Sequence, residues 1–574
     1  MQKCPERDIA PIGGSRTNGR GESGDGVGFP EKCRYFCGDY REVNGKDTLP
    51  QPTFMDRSPT SSPRIVRSLL ALTGSFAWLC AAVTIRQGLL LSSQSPLLWG
   101  VALCGLLGGI AAWVVALLAS ESWIDVQLAR WTGFLHRTRE VPPATGHRAG
   151  ASLVLFGTLL FATNTYWVSQ HQDSPFDDDQ GAFLITAREI HDHGGLTSLW
   201  NDLWSGRFEE ANRHPLFLAI QSLHPTVDFG RGASCLLAIV TAGFALLIVW
   251  RRMGPLTAGV LAVLLGTNGA WLYHAPRVVC ESLLTGLAGV AWLVLSRESG
   301  VGSREPVELV AGSSGHPPSA IRQLPSSSLV GVLLGLAYLT KGTGLLLLGG
   351  TSLAFGVLAV WSRGERRRGI ASFTALILAF VVTASPLLTR NLIRYGSATY
   401  NINSYLLWVD AYESPVAMAD RMTLQEARDA YLSTHSVTDL IEREATGLAW
   451  EAFIGLRTLG PAPWNDARVL FGLPLFTLGL LGLCHTPRLP ALVLILWTGI
   501  MWVMMAWYVP IAAGDRFMMP LLIPWLTLAA NGLVRILSLS TAPHAATPRI
   551  VLGAILWGVV TTVLVWTRGD LWVC

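Results

Sequence analysis

Apolar runs about as long as a bilayer crossing recur through most of this chain, at roughly 66–91, 96–119, 150–169, 233–250, 256–273 and 280–296. Seven more follow, at roughly 327–340, 343–361, 370–389, 469–486, 490–509, 516–537 and 549–567. Lipid offers the backbone no hydrogen-bond partners, so a run of about 20 such residues crosses as a helix. The expectation is an all-α integral membrane protein with about 13 transmembrane helices. Composition agrees: half the 574 residues are hydrophobic, 14% are charged and mean hydropathy is +0.40, too apolar for a soluble protein of this size. One stretch reads two ways. The first half of 327–361 is short for a span and Lys341 interrupts it, so a re-entrant hairpin fits there as well as two spans.

Arginine placement orients the spans. With the N-terminus inside, the cytoplasmic connections contain Arg130, Arg137, Arg139 and Arg148, then Arg251-Arg252, Arg297 and Arg304, then Arg363 and Arg366-Arg367-Arg368, then Arg488 and Arg535. That is the distribution the positive-inside rule requires. The net charge of +4 is explained the same way and points to no nucleic acid. Residues 1–64 are rich in Gly, Pro, Ser and Arg without apolar periodicity, and read as a disordered cytoplasmic tail. The nine cysteines are scattered; Cys33 and Cys37 are the only close pair, and without a second ligand pair they make no zinc site.

Two long polar segments fall outside the spans on the outer side, at about 170–232 and 390–468. Loops of that length in a compact protein usually carry function. The first contains the acidic run Asp177-Asp178-Asp179, which supplies N-cap chemistry for a helix ending near Gly194-Gly195. Phe183, Ala187 and Ile190 share one face of that helix, which places it on the membrane surface. A second short helix begins near Asn212, with Pro215 in its first turn. Two juxtamembrane helices are therefore expected to hold the acidic run at the interface. The second segment carries an amphipathic stretch at 423–432, and Trp450 and Trp464 suit an interfacial cap.

Charged groups at the mouths of spans are the candidates for chemistry, because lipid makes them costly unless they are paired or used. One capping Asp suffices for a helix, and three adjacent carboxylates repel one another; such a cluster suits a general base beside a substrate hydroxyl. Glu281 follows Arg277 at the next outer turn, either as a local ion pair with it or as part of the same pocket. Lys341 lies in Thr340-Lys341-Gly342-Thr343-Gly344, which lacks the first glycine of a phosphate loop; an outward lysine here suits a lipid phosphate, or simply snorkels. Arg390, Arg394 and Arg516 oppose the positive-inside tendency and have the planar fork that phosphate recognition uses. Pairing with an outer carboxylate such as Asp515 or Asp410 is the plainer reading of each. His214, in Arg213-His214-Pro215-Leu216, either caps the second helix or contacts substrate, and His191-Asp192-His193 has the wrong spacing for a metal pair on one helical face.

Asp179-Gln180-x-x-Phe183 followed by Ala187-Arg188-Glu189-Ile190 resembles the first outer-loop motif of the GT-C membrane glycosyltransferases that use polyprenyl-phosphate sugars. The nearest branch is that of protein O-mannosyltransferases and the lipid A aminoarabinose transferase. His214-Pro215-Leu216, Arg277 to Glu281, Gly335 to Gly342, Pro386 to Asn391 with Tyr395-Gly396, and Asp515-Arg516-Phe517 to Pro520 extend the likeness over roughly 150–540. Gln180 departs from it, standing where the family has a second acid, a place Asp178 is positioned to take.

The resemblance implies a GT-C-like fold and a glycosyltransferase of the cell envelope, mannosyltransferase-like, inverting, with a polyprenyl-phosphate sugar as donor. The acceptor would be a protein, lipid or glycan. It puts Asp179 in the position of general base, with Asp178 and Glu281 as further acids, and Lys341, Arg390, Arg277, His214 and Arg516 around the substrate and lipid phosphate. The branch depends on no metal, so neither metal nor cofactor is expected, although a carboxylate cluster has the chemistry to hold Mg²⁺ or Mn²⁺. Four parts follow: the tail 1–64, an additional hairpin and cytoplasmic loop at 65–149, a catalytic core at 150–540, and a last helix with a short outer tail at 541–574. The setting is a multi-pass protein of the plasma (inner) membrane with its site on the outer face. Competing readings are a transporter or flippase for a lipid-linked saccharide, which would need ionisable groups near mid-span, and a non-catalytic scaffold of the same fold.

Overall fold

A computed structural model describes residues 96–120, 146–171, 178–296, 324–361, 366–462, 468–539 and 543–567, with isolated residues between 70 and 133. The expectation for residues 1–64, the pair Cys33 and Cys37, Asp177, Arg297, Arg304 and Trp464 lie outside the described residues, as does the side chain of Asp178.

Among the described residues every regular element is a helix, and the one extended pairing is an isolated bridge between Asn268 and Pro461. Seven helices have the length and apolarity to cross a membrane: His147–His171, Val227–Met253, Thr343–Val360, Gly369–Tyr395, Arg488–Tyr508, Asp515–Ser538 and Ala546–Thr567. Shorter apolar helices at Leu103–Leu118, Pro255–Thr267, Glu281–Leu295, Ser326–Thr340 and Val469–Cys484 fall within other expected spans. The protein is all-α and built for a membrane. The 327–361 stretch forms two helices, Leu324–Thr340 and Thr343–Trp361, joined by a turn at Lys341-Gly342; the second is long enough to cross a membrane and the first is shorter.

The Asp515–Ser538 segment is the most enclosed of the seven, 89% buried over its most apolar window against 22–39% for the other six, which turn broad faces outward. Neighbouring helices approach through small residues, as lipid-embedded helices do. A Cβ added at Gly157 would lie 2.4 Å from the Ala262 carbonyl carbon, so helices His147–His171 and Pro255–Thr267 meet backbone to backbone. Side-chain donors complete the contacts: Asn164 donates to the Gly266 carbonyl at 3.0 Å and Trp497 to the Leu347 carbonyl at 2.7 Å.

Four elements differ from the reading of the sequence. A helix at Gly195–Ser205 follows directly on Asp178–Asp192, because Gly194 and Gly195 (φ 102° and 66°) make a corner at which the helix restarts. The apolar face of Asp178–Asp192 packs into the protein, with Phe183, Ala187 and Ile190 all buried, and the ring of Phe183 stands edge-on to Phe217 at 5.2 Å. The helix expected to stop near residue 389 runs from Arg366 to Tyr395 through Pro386, so Arg390 and Arg394 ride on its last turns. Finally, 390–468 is not simply a cap. It contains a 23-residue helix, Val437–Leu459, that packs against helices Val469–Cys484 and Arg488–Tyr508. Charged residues in its first two turns hide it from a hydropathy reading, but a capping box of Ser436 and Asp439 starts it and Leu448, Phe453 and Ile454 are buried on it.

Candidate active site

One end of the bundle collects charged groups from four distant parts of the chain. Asp179 stands in the first turn of helix Asp178–Asp192, and Gln180 beside it fixes the register of that turn. The Gln180 side chain is buried, and its Oε1 accepts the Val278 N–H at 2.9 Å. An amide does here what a charged acid would do at higher desolvation cost. Gln180 thus ties the acidic turn to the turn that carries Arg277 and Glu281.

Asp179 is paired with Arg516, and both side chains are partly open, 49% and 37% exposed. Glu281, the first residue of its helix, is 4% exposed and accepts from the Lys341 ammonium at 2.9 Å. The Glu281 partner is therefore a lysine sixty positions on. Arg277 meanwhile donates to the Tyr273 hydroxyl and lies 4.7 Å from the centre of that ring. The two acid–base pairs share one aromatic surface: Lys341 Nζ is 5.5 Å and the Arg516 guanidinium 5.0 Å from the Phe517 ring centre. Asp179, Arg516, Phe517, Lys341 and Glu281 thus form one continuous chain of contacts, open at the Asp179 end and buried at the Glu281 end. Burial works against the Lys341 ammonium, but the Glu281 carboxylate and its hydrogen bond prevail and raise the lysine pKa above its ordinary value.

A second group adjoins it. His214 sits at the N-cap of helix Pro215–Gln221 without capping it; its Nδ1–H donates to the Tyr338 carbonyl, three residues before Lys341. Burial depresses its pKa to about 4, with Arg390 and Lys341 adding to the effect, so the imidazole is neutral at physiological pH. Arg390 is 2% exposed, lies 5.4 Å from the ring centres of both Phe208 and Tyr395, and donates from Nη2 to the Glu210 carbonyl at 2.6 Å. Its Nε and Nη1 have no hydrogen-bond partner. Asn391 donates to the Ala398 and Tyr400 carbonyls at 3.1 and 3.2 Å, closing the turn after the helix.

The carboxylates suggested as plain partners for the outer arginines are taken by others. Asp515 binds Arg457 at 2.9 Å and Arg468 at 2.6 Å, Asp410 binds Arg443 and His435, and Arg394 pairs with Glu209 at 3.2 Å. The sequence reading passes over Arg457 and Arg468, which belong to no motif and whose importance lies only in what they hold. It also passes over His274, buried beside the same groups as Glu281. The spacing of seven between His274 and Glu281 across one turn was the available signal.

Arg366 and Arg367 open the helix that ends past Arg390 and Arg394, Arg535 lies near the end of Leu522–Leu539, Arg251 and Arg252 close Val227–Met253, and Arg488 opens Arg488–Tyr508. Acidic and basic groups that pair with each other lie at one end, and arginines at the other.

No protein-family model matches the sequence, and no curated protein does. Among solved structures, ArnT from Cupriavidus metallidurans bound to undecaprenyl phosphate is similar over 72% of this chain and 77% of its own, at 13% identity and a TM-score of 0.43. ArnT in the apo state gives 74% and 78%, 13% and 0.42. The archaeal oligosaccharyltransferase AglB from Archaeoglobus fulgidus, in complex with an inhibitory peptide and a dolichol-phosphate, is similar over 72% of this chain at 13% identity and a TM-score of 0.40. The chain spans 56% of the length of AglB.

Proposed function

We propose that this protein is an integral-membrane glycosyltransferase that moves a sugar from a polyprenyl-phosphate donor to an acceptor on the non-cytoplasmic face, with inversion. The observation that carries the reading is the meeting of Asp179, Glu281, Lys341 and Arg516 at one end of the bundle, alternating acid and base, with the acid end accessible. A transporter would keep ionisable groups along a path near mid-span; here they gather at helix ends.

In this reading the acceptor hydroxyl or amine gives its proton to the Asp179 carboxylate as its lone pair forms the new bond to the anomeric carbon. The bond from that carbon to the phosphate oxygen breaks on the opposite face, and the electron pair leaves with polyprenyl phosphate. Base and leaving group flank the sugar ring, as a single displacement needs. Lys341 and Arg516 offset the charge that develops on the leaving phosphate. To serve as base, Asp179 must share or release Arg516, and an arriving phosphate competes for that guanidinium. Glu281 holds Lys341 at the site. His214 and Arg390 shape the adjoining wall, with Arg390 the nearest source of unused N–H donors and Arg277 bordering the opposite turn. Asp178 is a candidate second acid. The arginine-rich ends face the cytoplasm of a plasma (inner) membrane protein, as the positive-inside rule directs, and no metal enters the scheme.

Asp179→Asn tests the proposal. It removes the proton acceptor but keeps the shape, so transfer from polyprenyl-phosphate sugar should fall by about 10²–10⁴-fold while expression and membrane insertion hold. An active, well-folded Asn variant would sink the assignment.

A further inference from the structure

Arg516 stands in the first turn of the Asp515–Ser538 segment, where Asp515–Met518 follows the extended Gly514 and runs through a 3₁₀ turn at Met519–Leu521 into helix Leu522–Leu539. The first turn of a helix leaves backbone groups unsatisfied and frays unless side chains hold it. Something else must fix the arginine that meets Asp179. The preceding residue supplies it. Asp515 Oδ1 accepts from Arg457 Nε at 2.9 Å and, more weakly, from the Thr458 hydroxyl at 3.4 Å; Oδ2 accepts from Arg468 Nη2 at 2.6 Å. All three charged side chains are largely buried, at 12%, 13% and 8% exposure. Interactions of this kind hold their geometry where exposed pairs do not.

The clamp is itself latched. Asn268, at the break between helices Pro255–Thr267 and Gly269–His274, donates to the Thr458 and Gly460 carbonyls at 2.8 and 3.2 Å, and Gly269 N–H donates to the Gly460 carbonyl at 3.1 Å. A Cβ at position 269 would lie 2.5 Å from Arg468 Nη1, so any larger residue there would displace the Arg468 side chain. Three segments therefore close on one carboxylate that touches neither Asp179 nor any other acid of the site.

We infer that Asp515 is a positioning residue for Arg516: its double-arginine clamp holds the first turn of the segment so that the Arg516 guanidinium faces Asp179. The inference rests on the glycosyl-transfer reading only for its catalytic consequence. The geometry stands without it.

The test uses the full-length protein in nanodiscs and two readouts. Site-resolved carbodiimide labelling of Asp179, followed by peptide mass spectrometry, reports whether the carboxylate is shielded by arginine and needs no turnover. Asp515→Asn should raise labelling about 3- to 10-fold, Arg516→Gln at least as much, and the double variant no more than Arg516→Gln alone, since residues acting as a unit are non-additive. Arg457→Lys keeps the charge and removes the Nε bond; it should give a smaller rise in the same direction and serves if the Asn variant does not reach the membrane. In the transfer assay Asp515→Asn should lower kcat about 10- to 100-fold with donor KM within about 3-fold, the signature of a misaimed group. Wild-type labelling in both Asp515→Asn and Arg457→Lys, or an additive double variant, overturns the inference. Absent turnover in the wild type would defeat the proposed function while the labelling result stood by itself.

Discussion

Glu281 and Lys341 depend on each other. With Glu281 4% exposed and its Oε2 already without a partner, Lys341→Met would leave a buried carboxylate uncompensated, at a cost of about 3–5 kcal/mol. Thermal unfolding in detergent should show that loss, and Lys341→Met/Glu281→Gln should recover most of the stability without restoring transfer. His214 contributes a pH dependence of fixed sign. Its folded pKa, about 4, lies below the ordinary 6.5, so the unfolded chain takes up the proton first as pH falls. Stability is fully present above about pH 6.5 and is lost toward pH 4, by up to about 3 kcal/mol. A His214→Gln variant should flatten that part of a stability–pH curve. Asp179, Glu281, Lys341 and Arg516 were legible in the sequence because each is a charge at the mouth of an apolar run, where lipid demands an explanation. Which acid meets which base was not, since Glu281 has Arg277 one turn before it and still takes Lys341; the choice is made by helix packing across 60 positions.

The Val437–Leu459 helix is the element that most changes the picture of the outer face. Arg443 on it lies 4.6 Å from the Trp507 ring centre and 5.3 Å from that of Tyr431, and donates to the Trp507 and Val409 carbonyls at 3.0 and 2.9 Å. It thereby rivets helix Leu424–Thr434 and the stretch at Val409-Asp410 to the bundle. Arg443→Met should loosen that cap selectively: amide exchange over 400–436 should accelerate by about 10-fold or more, a loss of at least 1.4 kcal/mol, while helix Asp515–Ser538 keeps its protection. The same helix bears Glu451, 1% exposed with neither carboxylate oxygen hydrogen-bonded. Glu451→Gln removes a desolvated acid at constant volume and should raise the unfolding temperature, by an amount equivalent to about 1–2 kcal/mol. Periodicity could locate spans and the cap at 423–432, but it missed this helix because its opening turns are polar and only tertiary contact buries the rest.

At the scale of the whole molecule, arginines at one end and paired acids and bases at the other give the bundle a fixed polarity. In the sequence the positive-inside alternation serves to check the order of spans, since a missed helix would invert every later loop. The most enclosed of the seven, Asp515–Ser538, was not distinguishable from its neighbours by hydropathy, for burial by protein and burial by lipid select the same residues. That segment also sets when the Asp179 ion pair can form. Arg516 is synthesised 337 residues after Asp179, which at about 5–20 residues per second means a delay of tens of seconds. Throughout that interval Asp179 lacks the arginine it is paired with in the folded protein. The ion pair between Asp179 and Arg516 therefore cannot close until most of the chain has been made.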